Sequence, residues 1–226
     1  MTVESSLSEL LAARNALGQH RGLGDNGVIV TSRRKPRQER SRETLDLLIE
    51  AAAQVFSREG IAATTNRIAE RAGVSVGTLY QYFPDKHALL RAVAGRHLHT
   101  AEQRLTEVFD RLRREEPPFD DAMTEVLELV VQLHSDRPRL HALLHRVATA
   151  AGDVDELVGF EDRIVAEVAF HLERCDRGGG DPELTARTIV HAVDAQVHRV
   201  LPRHGYGPDA TAQLRLIFDR LAPPPP

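Results

Sequence analysis

The stretch from Thr64 to Lys86, TTNRIAERAGVSVGTLYQYFPDK, leaves this chain few ways to fold. It reads as two short helices at a tight turn. Thr64 and Thr65 can cap the first, because a threonine hydroxyl accepts a hydrogen bond from an otherwise orphaned backbone N–H. Ile68, Ala69 and Ala72 then supply a small apolar face at helical spacing. Gly73 suits the left-handed residue that ends a helix. Ser75 can cap a second helix that turns Leu79 and Phe83 inward, and Pro84 closes it. A helix of about two turns is unstable alone, so both must be held by the helices around them. This is the economy of a helix-turn-helix, with its motif at residues 64–83.

The second helix is unusual in what it exposes. Gly77 lies inside it, where glycine costs about 1 kcal/mol relative to alanine. Tyr80 and Tyr82 bracket Gln81, so rings and an amide fan outward. A glycine that admits close approach, hydroxyls for phosphates and a glutamine able to read adenine suit a nucleic-acid face. An ordinary helical hairpin with exposed tyrosines is the plainer reading of the same residues.

The run IAERAGVSVGTLYQYFPDKHALL, Ile68 to Leu90, resembles the DNA-binding signature of the TetR family of bacterial repressors. The Ala-Gly-Val-Ser turn, the Leu-Tyr-x-Tyr-Phe recognition helix and the lysine on the next helix occur together at the family's spacing. With the preceding helix the match covers roughly Ser41 to Ala101. The resemblance implies an all-α homodimer: an N-terminal three-helix helix-turn-helix DNA-binding domain, then a larger C-terminal helical domain for ligand binding and dimerisation. Its DNA-contacting positions fall on Thr65, Asn66, Arg67, Ser75, Val76, Gly77, Thr78, Tyr80, Gln81, Tyr82 and Lys86. The link from Gly60 to Thr64 is shorter than in common members.

Charge is distributed as such an arrangement requires. Net charge is −4, but residues 33–96 hold 12 Lys/Arg against 7 Asp/Glu, and residues 97–226 hold 15 against 23. A basic head on an acidic body concentrates phosphate attraction in one module. One cysteine, Cys175, excludes an intramolecular disulfide framework, which fits a reducing cytoplasm. No apolar run reaches membrane-spanning length, and no signal peptide is read at the start of the chain. The chain is expected to be cytoplasmic, with no membrane partner.

Residues 1–32 are expected to be a disordered N-terminal extension. Arg33, Arg34, Lys35 and Arg37 form a basic arm at the start of the first helix, read as a phosphate or minor-groove contact rather than as solvated charge alone. That helix is predicted from Glu39 to Glu59, with Leu45, Leu48, Ile49, Ala52, Val55 and Phe56 inward and Gly60 as its stop. A long helix from Asp85 to about Glu116 spans roughly 45 Å at 1.5 Å per residue, joining the DNA-binding domain (33–96) to the body (97–222). Further helices are predicted at Phe119–Ser135, Pro138–Ala151, Asp153–Cys175, Pro182–Leu201 and Asp209–Ala222. Residues 223–226 are a proline tail.

The resemblance places a dimer interface on the last two long helices, here through Val193, Val197, Leu214 and Phe218, and an effector cavity within the body. The pocket is read as aliphatic, with Phe109, Phe160 and Phe170 as aromatics and His134, His141 and His145 as polar points. Of 11 histidines, nine lie from His97 onward. His141 and His145 stand at i and i+4, a spacing that can bind zinc. They lack an acidic ligand and an HExxH pattern, so no metal, cofactor or catalytic residue is assigned.

Three functions compete at this point. The first is a transcriptional regulator bound to a double-stranded DNA operator and controlled by an unknown small-molecule effector, repression being the family's habit. The second is an all-helical, His-rich metal-dependent hydrolase. The third is an architectural DNA-binding protein without an effector. The helix-turn-helix, the basic arm and the large separate body favour the first.

Overall fold

The structure, a computed structural model, describes residues 34–151 and 154–224. The chain divides into two compact units, Met1–Glu39 and Arg40–Pro226. Of the first, only residues 34–39 are described, as the opening turns of α1 (Arg34–Glu59). That helix begins at Arg34, not near Glu39. Pro36 falls in its first turn, where a missing N–H removes no helical bond. The predicted extension 1–32 and Arg33 lie outside the described residues. Arg34, Lys35 and Arg37 lie on helical backbone, and their side chains are also outside the described set.

The second unit continues through a tight 3₁₀ turn (Gly60–Ala62) into α2 (Thr65–Ala72), α3 (Val76–Tyr82), α4 (Lys86–Glu115), α5 (Phe119–Ser135) and α6 (Pro138–Ala151). It closes with α7 (Val154–Arg174), α8 (Pro182–Ala195), a π turn (Gln196–Val200), α9 (Leu201–His204) and α10 (Ala210–Leu221). There is no strand among the described residues. The boundaries follow local chemistry. Gly73 ends α2 in the left-handed region at φ 70°. Ser75 Oγ accepts the Thr78 N–H at 3.0 Å to open α3, and Asp85 accepts the Ala88 N–H at 2.7 Å to open α4. Each cap satisfies a donor that the first helical turn leaves orphaned.

The helix predicted from Pro182 to Leu201 is continuous but changes register: α8 widens into the π turn, and the cause is Pro202. Leu201 N–H bonds the Gln196 carbonyl, one residue further back than in an α-helix. The next bond in that register would come from residue 202, which as proline has no N–H. The Tyr206 hydroxyl donates to the Val197 carbonyl instead, at 2.8 Å.

Two apolar cores form, and α4 contributes to both. The head core gathers Leu48, Ala52, Val55 and Phe56 of α1, Ile68 of α2, Leu79 of α3, and Leu89, Leu90 and Val93 of α4. The body core gathers Leu105, Phe109 and Leu112 of α4 with α5, Val168 and Leu172 of α7, Ile189 of α8, and Leu214 and Phe218 of α10. Leu140, Leu143 and Leu144 of α6 belong with the head core. A second helix from the C-terminal half therefore joins the head core, packing on α4 and the 3₁₀ turn. Each fully buried leucine stabilises this junction by about 1.5–3 kcal/mol relative to exposure.

The residues assigned to a dimer interface sit differently from the expectation. Val197, Leu214 and Phe218 are buried within one chain and Val193 is partly buried, because they fill the seams between α8, α10 and the body. The large apolar residues that α8 and α10 turn outward are Leu184, Leu216 and Leu221.

Candidate functional site

The face of α2 and α3 is built on hydroxyl ties. Thr65 Oγ1 and the Tyr80 hydroxyl share a hydrogen bond at 3.1 Å, fixing α3 against α2. The Tyr82 hydroxyl and Ser41 Oγ share another at 3.2 Å, fixing α3 against α1. A hydroxyl has one donor and two acceptor positions, so both tyrosines keep capacity for a further partner. Ser75 Oγ is occupied as the cap and also meets Thr78 Oγ1 at 2.8 Å, which leaves Thr78 partly buried. Val76, Gly77 and Gln81 are exposed on α3, and Asn66 and Arg67 on α2. Arg67 pairs with Glu59 at 3.3 Å. A Cβ added at Gly77 would meet only Ser75 Oγ, at 3.7 Å, so the glycine leaves that surface of α3 open.

Lys86 has a use that its spacing did not reveal. Its ammonium donates to the Ile61 carbonyl at 2.6 Å, tying the start of α4 to the 3₁₀ turn. The shorter link after Gly60 is held in this way, and Thr64 still caps α2 by accepting the Arg67 N–H at 3.3 Å. Thr64, Thr65, Tyr80, Asp85 and Lys86 line a shallow groove of about 310 Å³. It lies beside the α4 N-terminus, where free N–H groups favour an anion. Ser41 and Ile61 complete this face. Neither carries a sequence signal, since one contributes only a tying hydroxyl and the other a backbone carbonyl.

In the body, His134, His141 and His145 come together with two histidines that spacing did not select. His97 Nε2 lies 2.7 Å from His141 Nδ1, and His141 Nε2 lies 2.8 Å from His198 Nε2. His134 Nε2 lies 3.4 Å from His198 Nε2. His145 stacks on the His198 ring, with centroids 3.9 Å apart. These rings come from α4, α5, α6 and the π turn. Burial, with the charges of the neighbouring histidines, pushes His134 down to about 4 and His141 down to about 2. Both are therefore neutral imidazoles at neutral pH. Of the aromatics assigned with them, Phe109 and Phe160 join the apolar core, and Phe170 lies under the Arg113 guanidinium, 3.8 Å from its ring centre.

Residues 48–93 match the model for the tetR family of bacterial regulatory proteins, and residues 118–216 match the tetracyclin repressor-like C-terminal domain. The HTH-type transcriptional repressor KstR of Mycolicibacterium smegmatis is 31% identical over 157 residues, 62% of this chain and 69% of that protein. The chain belongs to the TetR family. KstR of Rhodococcus jostii is 27% identical over 196 residues, covering 80% of this chain and 83% of that one. The transcriptional regulator FadR of Bacillus subtilis, solved in complex with stearoyl-CoA, shares the TetR fold at a TM-score of 0.60. It is 19% identical, and the match covers 78% of this chain and 97% of that one. This TetR-family chain is thus an all-helical DNA-binding transcriptional regulator. Among the described residues no helix is long and apolar enough to cross a membrane.

Proposed function

We propose that this chain is a repressor that binds a palindromic operator as a homodimer and releases it when a small-molecule effector enters the C-terminal body. One observation carries the reading. α3 turns Leu79 into a core shared with α4 and α6, while its opposite face leaves Val76, Gly77 and Gln81 exposed. A recognition surface is thereby seated on helices that reach into the body. Gln81 addresses adenine, Val76 and the Thr78 methyl touch thymine, and Asn66 and Arg67 reach base edges or sugar from α2. Thr65, Tyr80, Tyr82 and Lys86 hold phosphates, with Ser75 and Gly77 letting the backbone approach. Arg33, Arg34, Lys35 and Arg37 add a basic arm.

The dimer forms through α8 and α10, where Leu184, Leu216 and Leu221 are the outward apolar residues. A two-fold pair of such helices presents two recognition helices to an inverted repeat. On this reading the protein works in the cytoplasm. A hydrolase reading loses ground to the helix-turn-helix and to the regulators among its relatives, and an architectural reading to the shared core between head and body.

The test begins with a melting-temperature screen of small molecules that carry an apolar group, stearoyl-CoA first because a fold relative was solved with it. Any stabilising molecule is then titrated with and without operator DNA. For an effector that lowers DNA affinity a hundredfold, the coupling is about 2.7 kcal/mol, and operator must weaken its binding by the same factor. Stabilising molecules that all bind equally in both titrations contradict effector control.

A further inference from the structure

The tautomers of two histidines are fixed by what surrounds them. His134 Nδ1 lies 2.6 Å from the Val130 carbonyl, which can only accept, so His134 carries its proton on Nδ1. His198 Nδ1 lies 2.8 Å from Asp194 Oδ1 and 3.1 Å from the Asp194 carbonyl, so it too donates from Nδ1. In neutral rings both Nε2 atoms are then bare lone pairs, and they face each other at 3.4 Å. No hydrogen bond can join two acceptors. If His141 turns a proton toward His198, the His134 nitrogen is still without a donor. If His141 donates instead from Nδ1 to His97 Nε2, a third lone pair converges on the same point. The ligating atoms of His134, His141 and His198 all lie within 4.8 Å of one another.

We infer that His134, His141 and His198 form a three-imidazole site for a divalent transition-metal ion of the zinc class, with a fourth position open to water or an exchangeable ligand. Zinc–imidazole bonds of about 2.0–2.1 Å at tetrahedral angles set neighbouring nitrogens about 3.3–3.4 Å apart. The His134–His198 separation already has that value. The His141–His198 pair, at 2.8 Å, has to open by about half an ångström to reach it, and the widest separation in the trio, 4.8 Å, has to close by about 1.4 Å. Imidazole donors suit zinc, nickel, cobalt or copper and disfavour magnesium and calcium, which prefer oxygen. The outer contacts match as well. Ligating histidines ordinarily donate the remaining N–H to a carbonyl or carboxylate, which orients the ring and raises its basicity. Val130 does this for His134 and Asp194 for His198, while the second nitrogen of His141 is held by His97.

The ligands come from three elements, α5, α6 and the π turn imposed by Pro202. An ion would therefore lock α6, which also carries Leu140, Leu143 and Leu144 into the head core. This inference does not depend on the proposed repressor function, because metal binding is measured on the protein without DNA.

The untagged full-length chain, stripped with chelator, is titrated with Zn(II) by calorimetry and with Co(II) by visible absorption. One ion per chain is expected, with the intense d–d bands of a tetrahedral cobalt site. His134→Gln, His141→Gln and His198→Gln should each abolish the cobalt bands. His97→Gln should weaken zinc binding about 10–100-fold, the usual cost of losing an outer-shell partner. His99→Gln, an exposed histidine elsewhere on α4, should bind as the unaltered chain does. X-ray absorption of the zinc-loaded, unaltered protein needs no variant and should show three imidazoles at about 2.0 Å. A shell with one imidazole or none overturns the site. So do ligand variants that still fold, by their melting curves, and bind zinc as tightly as the parent.

Discussion

Glu50 on α1 accepts a hydrogen bond from the Arg137 guanidinium at the start of α6, 2.8 Å away and 87 positions along the chain. It marks where the C-terminal half grips the DNA-binding half. Burial pushes the Glu50 carboxyl up, but hydrogen bonds from Arg137 and Gln54 and the charges of Arg137 and Arg96 outweigh it, and the group ends below its ordinary value of 4.5. A carboxyl lowered in this way stabilises the fold above its unfolded pKa, and that stability is lost as pH falls through the folded one. Both side chains are two-fifths or more exposed, at 46% and 41%, so solvent screens the pair. A double-mutant cycle of Glu50→Gln and Arg137→Gln is expected to give a coupling below about 1 kcal/mol at neutral pH. It should fade only as pH falls through the lowered pKa of the folded state, on the acid side of 4.5.

Leu143 is the stronger test of the same junction. It is buried among head residues although it belongs to a helix of the C-terminal half. Leu143→Ala is expected to cost about 2–5 kcal/mol, as large-to-small changes in a packed core do. Because α6 serves both halves, DNA affinity should fall as well as the melting temperature. Loss of stability with unchanged operator affinity would mean that α6 does not help position the head.

The cap at Ser75 gives a smaller, local effect. Ser75→Ala removes the acceptor for the Thr78 N–H and is expected to cost about 1 kcal/mol. In a chain of this size that corresponds to a fall in melting temperature of about 2–4 °C. Calorimetry checks it, and Ser75→Asn, also a good capping residue, should restore most of the loss.

The dimer prediction follows from the outward side chains. Leu184→Glu combined with Leu216→Glu should give monomers by analytical ultracentrifugation, because a charge buried at a two-fold face meets its own copy. The intact protein should sediment as a dimer. A monomeric parent would contradict the interface.

How far the sequence disclosed this molecule depended on the range of the interaction. The cap at Ser75, the left-handed Gly73 and the thirty-residue α4 are local, and residues within a few positions dictate them; Asp85, read as the first residue of α4, is instead its cap. The π turn is also local in origin, but it needed Pro202 to be read together with Tyr206, whose hydroxyl replaces the missing donor. The destination of α6 was not legible. Its leucines announce an apolar face, and periodicity cannot say which core that face joins. The imidazole cluster failed for the same reason: His141 lies 44 positions from His97 and 57 from His198, and only the fold closes those distances. At the recognition face, residue types were readable but internal ties were not. The partners of Tyr80, Tyr82 and Lys86 are a threonine, a serine and a backbone carbonyl.

The central claim is that α3 reads DNA sequence as one half of a two-fold pair, and selection of bound duplexes from a random pool tests it most directly. The unaltered protein should enrich an inverted repeat whose half-sites present major grooves about one turn, roughly 34–36 Å, or a multiple apart. Gln81→Ala should enrich the same repeat with one symmetry-related position relaxed in each half, at a cost of about 1–3 kcal/mol per contact. Enrichment of no sequence at all, or of one that Gln81→Ala leaves unchanged at every position, would contradict the account.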